Sequence, residues 1–168
     1  MSATDTGAAR RDASHGERLL RGWRRLSGLA GGAWLFSRIV GRTAPYTGSI
    51  GARVESLEPG RAVVTLRDRR RVRNHLRSVH AIALANLGEL ASGLAATAAL
   101  PAGVRGIPTN INIEYLKKAR GRLTATGTAE IPDVHEPVTT EAVAEIRNDG
   151  GEVVAVVRVR WQLERVSQ

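Results

Sequence analysis

The last third of the chain alternates apolar and polar residues almost without interruption. Val153, Ala155, Val157, Val159, Trp161 and Leu163 fall on one face, and Arg158, Arg160, Gln162 and Glu164 on the other. A period of two predicts a half-buried strand over 153–163. The same alternation predicts strands over 107–116, where Ile111, Ile113 and Tyr115 oppose Asn110, Asn112 and Glu114, and over 122–131 and 138–146. Asn148-Asp149-Gly150-Gly151 supplies a hairpin turn between the last two. Two earlier strands, 49–57 and 62–66, are joined by the turn residues Glu58-Pro59-Gly60. Between the two groups the period changes. Val79, Ala83, Leu87, Leu90, Ala91, Leu94 and Ala95 mark a helix over 78–100, stopped by Pro101 and Gly103. It has so little polar surface that it must be enclosed on most sides. Two strands, one buried helix and four more strands predict an α+β domain. Its antiparallel sheet curls around a central helix.

The N-terminal part reads differently. Residues 1–15 are small, polar and charged and read as a disordered tail, 16–46 as a helical segment, and 47–165 as the body of the domain. Leu19, Leu20, Trp23, Leu26, Ala30 and Trp34 recur at helical spacing with Arg18, Arg21, Arg24 and Arg25 between them. Such a helix either lies on a membrane or packs against the domain. Gly28, Gly31 and Gly32 weaken it as an isolated helix and favour packing. Arg24-Arg25 before an apolar run superficially resemble an export signal, but Ser37-Arg38 interrupt the run and no small-x-small cleavage site follows. Every 18-residue window carries a polar interruption, which argues against a membrane span.

Composition narrows the chemistry. The chain has no cysteine, which excludes a disulfide scaffold, a thiol nucleophile and a thiolate metal site, and fits a reducing cytoplasm. Four scattered histidines without clustered carboxylates make no metal site. The formal charge of +9 comes almost wholly from arginine, Lys117 and Lys118 being the only lysines. It points either to a solvated basic surface or to an anionic partner such as a phosphate-bearing ligand. The basic runs lack interleaved aromatics, so nucleic acid is not expected.

One residue breaks the apolar helix. Glu89 is the only carboxylate between Asp68 and Glu114. A carboxylate in such surroundings is costly unless it has a partner or a task. Just before the helix, Arg73-Asn74-His75-Leu76-Arg77-Ser78-Val79-His80 puts an Asn and two His on a polar loop.

These residues resemble the hotdog-fold acyl-CoA thioesterases, most closely the phenylacetate-pathway type and a related bacterial group of uncharacterised thioesterase-like proteins. That pattern has an Asn on the loop, a His opening the helix, and an Asp or Glu nine residues later. Asn74, His80 and Glu89 match it. Asn112-Ile113-Glu114-Tyr115-Leu116-Lys117-Lys118-Ala119-Arg120-Gly121 is similar to the family's strand after the helix and its basic end. The sequence departs from the pattern where two glycines usually follow the His; here they are Ala81 and Ile82. The resemblance implies a hotdog fold, an acyl-CoA substrate, no cofactor, and a homodimer or an assembly of dimers.

In that reading Glu89 is the base or nucleophile, Asn74 positions water or carbonyl, and the Ala81 N–H beside His80 holds the thioester oxygen. Ser92 would line the acyl pocket, with Ala95, Ala96, Ala98 and Ala99 beyond it. Arg73, Arg77, Lys117, Lys118 and Arg120 would grip coenzyme A, as would Arg70 and Arg71. His80 and Glu89 are nine residues apart, about 13.5 Å and roughly 180° on one helix, so a shared site requires two subunits. Two alternatives stand beside this one. A hotdog acyl-carrier dehydratase would use the fourteen-residue gap from His75 to Glu89, but Leu76-Arg77-Ser78 replaces that family's Phe-Pro-Gly. A non-catalytic acyl-CoA or lipid-binding module is favoured by the missing glycines.

Overall fold

The computed structural model describes residues 14–166. Of the tail expected over 1–15, residues 1–13 lie outside the described residues, and Ser14 and His15 open the first helix. Helix α1 (His15–Ser27) is fixed by a capping box between Ser14 and Glu17. The segment expected as one helical stretch is broken. Gly31 adopts φ 76°, and α2 (Gly32–Thr43) starts in a new direction, followed by the short α3 (Pro45–Gly48). The break folds α2 back on α1, with Trp23 edge-on to Phe36 at 5.1 Å. Gly16 brings α1 against the backbone of Thr97 and Ala98 at the end of the central helix, so this segment packs on the domain.

The body begins with β1 (Arg53–Glu58) and β2 (Arg61–Leu66), followed by a single 3₁₀ turn (Arg70–Val72) and the central helix α4 (Ala81–Ala99). Strands β3 (Val104–Tyr115), β4 (Leu123–Ala129), β5 (Val138–Arg147) and β6 (Val153–Arg165) complete it. All six strands form one antiparallel sheet in the order β1-β2-β4-β5-β6-β3. The sheet curls around α4, and small residues permit the close approach. A Cβ on Gly88 would strike Val157, and one on Gly127 would strike the backbone of Ala91 and Ser92. Leu87, Ala91 and Ala95 are fully buried there with Leu123, Val157 and Leu163. Among the described residues α4 is the one helix that by length and composition could cross a membrane, and most of it is buried beneath the sheet.

The two edges of the sheet differ. Along β1, Ser37 of α2 accepts a hydrogen bond from the Val54 N–H at 2.9 Å while donating to Ala33 O, so α2 covers that edge. Among the described residues β3 pairs only with β6, and its other edge is open. Its expected inward face is also only partly covered, with Ile107, Ile111 and Tyr115 exposed by 54%, 50% and 47%.

Candidate active site

The loop before α4 is built by its own hydrogen bonds. Arg73 and Val79 form an isolated antiparallel bridge, and Asn74 N–H donates to Ser78 O. The Asn74 Oδ1 atom accepts from Leu76 N, Ser78 N and Ser78 Oγ at 2.9, 3.2 and 3.2 Å. That triple contact holds a tight turn in which Arg77 takes φ 56°, a conformation non-glycine residues rarely adopt. Asn74 thus shapes the loop through its oxygen and leaves its amide nitrogen available. Asp68 anchors the same region, accepting from Arg73 Nε at 2.6 Å and Gly121 N at 3.1 Å. The Arg73 contact holds the Asp68 carboxyl below its usual range.

His80 is the N-cap of α4. Its ring Nδ1 accepts from Ile82 N at 3.1 Å, which places the proton of the neutral ring on Nε2, and the side chain is exposed. The Ile82 N–H is therefore occupied, whereas the Ala81 N–H donates to nothing among the described residues. Tyr115, at the end of β3, reaches across and donates from Oη to Ala81 O at 3.1 Å. Burial pushes the Tyr115 hydroxyl pKa up. Asn74, His80, Ala81, Arg73 and Arg77 thus gather at one helix start. Arg120 touches it through Leu76 O, and His75 is exposed on the loop.

Glu89 lies elsewhere. Eight residues beyond Ala81, it sits about 12 Å further along the helix axis. Its side chain is half-buried and has no hydrogen-bond or ion-pair partner among the described residues. Its surroundings are apolar. The position a Cβ would take on Gly93 is 3.5 Å from Glu89 Oε1 and 3.8 Å from the Trp161 ring. Gly106 of β3 leaves room for the other part of that ring. Desolvation by burial pushes the Glu89 pKa up. The Trp161 indole N–H is itself buried without a partner. Ser92 is fully buried on the sheet side and donates back to Gly88 O at 2.9 Å. Of the expected coenzyme A contacts, Arg73 pairs with Asp68 and Lys117 with Glu152, while Arg77 and Lys118 are exposed with no carboxylate partner among the described residues. No three His, Asp or Glu converge among the described residues in a way that would hold a metal.

Reasoning from sequence missed Trp161, Gly93, Gly106 and Tyr115. The alternation puts Trp161 on one face of its strand, but only the fold shows that Gly93 and Gly106 leave room for its ring beside the helix that carries Glu89.

An antiparallel six-stranded sheet wrapped around one long helix, with a polar loop at the helix start, is the hotdog fold. Within it the chain belongs to the family described as a domain of unknown function, DUF4442, whose model matches residues 32–163. A structural-genomics protein designated APC5556 is 30% identical, with a TM-score of 0.78 over 89% of this chain and 99% of its own. A Pseudomonas aeruginosa protein of unknown function described as a probable thioesterase is 20% identical. Its TM-score is 0.68, over 77% of this chain and 93% of its own. A Haemophilus influenzae thioesterase is 18% identical, with a TM-score of 0.63 over 73% of this chain and 85% of its own. No curated protein matches the chain by sequence.

Proposed function

We propose that this chain is a homodimeric acyl-CoA thioesterase in which Glu89 is the base or nucleophile and the start of α4 from the other subunit holds the thioester oxygen. The observation that carries the reading is Glu89 itself, a half-buried carboxyl with no side-chain partner among the described residues, raised in pKa by desolvation. A stabilising role would call for an arginine beside it; general-base work calls for the pKa shift it has. The thioesterase descriptions of two structural neighbours support the same class.

The open β3 edge, a twelve-residue template with half-exposed Ile107, Ile111 and Tyr115, supports dimerisation in this reading. Pairing of this edge with its copy would bring the two α4 helices together along Ile82, Ala85, Glu89 and Gly93. In such a site Glu89 removes a proton from water and the hydroxide attacks the thioester carbon. The resulting oxyanion is met by the Ala81 N–H at the positive end of the helix. Collapse expels the thiolate, and the proton passes from Glu89 to sulfur. As nucleophile, Glu89 would instead form an anhydride that water cleaves.

A second reading, an acyl-CoA-binding module without turnover, is favoured by one observation: His80 occupies the Ile82 N–H, removing that donor from the helix start. Because the chain has no cysteine, a thiol-reactive dye reports only released coenzyme A. A panel of aromatic and aliphatic acyl-CoA esters run against wild type and Glu89→Gln decides the matter. The thioesterase reading expects a kcat loss of about 10²–10⁴-fold in a variant that remains dimeric. Saturable binding without turnover selects the module, and unchanged activity in Glu89→Gln removes Glu89 from the chemistry.

A further inference from the structure

A cleft of about 720 Å³ lies between α2–α3 and the β1–β2 side of the sheet, away from the open edge. It is formed by segments far apart in sequence and is strongly cationic. Among the described residues Glu55 is the only carboxylate on its wall, and it is already engaged: it accepts from Thr65 Oγ1 at 2.8 Å and pairs with Arg122 at 3.0 Å and Arg53 at 3.5 Å. Five further guanidinium groups line the cleft, those of Arg38, Arg42, Arg67, Arg69 and Arg71, and none has a carboxylate partner among the described residues.

The backbone helps to crowd these charges. Gly51 adopts φ 65°, and a Cβ there would strike Arg71 Nη2 and stand 3.1 Å from Arg69 Nη2. Arg69 also donates to Gly51 O at 3.1 Å. Two guanidinium groups are thus held over one glycine with no anion between them. Like charges gathered this way repel one another, and a polyanion relieves the repulsion while accepting paired N–H bonds from planar guanidinium groups. Leu90, adjacent to Glu89, forms part of the floor. Arg67 and Arg122 continue into a second cationic hollow with Arg73, Arg77 and Arg120, near the loop before α4.

We infer that this arginine cleft holds the phosphates of the substrate's nucleotide end. It takes this role in place of Lys117, which is already paired with Glu152. The inference rests on the acyl-CoA reading above and adds where the carrier is gripped.

The test compares Arg69→Gln/Arg71→Gln, and Arg71→Gln alone, with Arg24→Gln/Arg25→Gln. Arg71 makes no side-chain hydrogen bond among the described residues, so its loss leaves the fold intact. The control removes the same charge from α1, off the cleft. The double cleft variant is expected to raise KM for acyl-CoA about tenfold with kcat retained, and to weaken inhibition by adenosine 3′,5′-bisphosphate equally. KM for the matching acyl-pantetheine, which lacks these phosphates, should not move. An unchanged KM for acyl-CoA in the cleft variants, or an equal rise in the α1 control, overturns the inference. Should wild type hydrolyse no acyl-CoA, the thioesterase reading fails separately, and calorimetric titration with adenosine 3′,5′-bisphosphate decides the cleft. Saturable binding lost in the double variant sustains a phosphate site there, and absence of binding removes it.

Discussion

The two ends of the candidate machinery solve opposite physical problems. At the start of α4 nearly every polar group is satisfied. Asn74 Oδ1 takes three hydrogen bonds, His80 caps Ile82, and Asp68 bolts the loop to Arg73 and Gly121. Halfway along the helix Glu89 has no side-chain partner among the described residues. The first region holds shape; the second stores an unfavourable charge. A protein that tolerates an unpaired, half-buried carboxyl sacrifices stability there, which is common where a titratable group must work near neutral pH. The two carboxyls should accordingly titrate in opposite directions.

The sharpest way to break this contrast is Ala81→Pro. Proline suits the first helical position, and His80 before it is already extended at ψ 142°, so the fold should survive while the free N–H disappears. Steady-state kinetics should show kcat down by about 10²–10³-fold with the melting temperature held. Asn74→Ala should instead act on stability. Losing three contacts in a turn that holds Arg77 at φ 56° should cost about 1–3 kcal/mol in chemical denaturation.

Asp68→Asn should cost about 1.5–3 kcal/mol at pH 7. The folded-state pKa of Asp68 is depressed, so its contribution is present above the unfolded pKa and lost as pH falls through the folded one. The deficit of the variant should therefore vanish in acid. Glu89→Gln should show the reverse sign. With the folded pKa raised, the wild type binds a proton that the unfolded chain has released, and it loses stability as pH rises between the unfolded and folded pKa values. The variant should be the more stable protein above that window, by on the order of 1 kcal/mol, and equal to wild type below it. Melting curves across pH check both signs.

Much of the fold could be read from the residues. The alternation in β6 and the length of the apolar run in α4 are local patterns, and they suffice for the element order. The break at Gly31 was less legible, because three glycines weaken a helix without saying where it turns. In β3 the alternation of Ile111, Ile113 and Tyr115 gave a face but not a partner, and two of those three side chains are half-exposed at an open edge. Glu89 was visible because a charge in an apolar helix is anomalous by itself. The packing beside it was not, since Trp161, Gly93 and Gly106 meet only through the closing of the sheet on the helix. The arginine cleft was equally hidden, as it joins α2, the Gly51 turn and the segment after β2.

The most direct test of a site shared between subunits is complementation. Ala81→Pro and Glu89→Gln subunits, each inactive alone, are unfolded together, refolded at equal concentration and assayed. If the helix start of one subunit works with Glu89 of the other, half of the dimers are mixed and each mixed dimer regains one intact site. The mixture should then show roughly a quarter of wild-type activity. A mixture that stays inactive, although mixed dimers form, would contradict a site completed by the partner subunit.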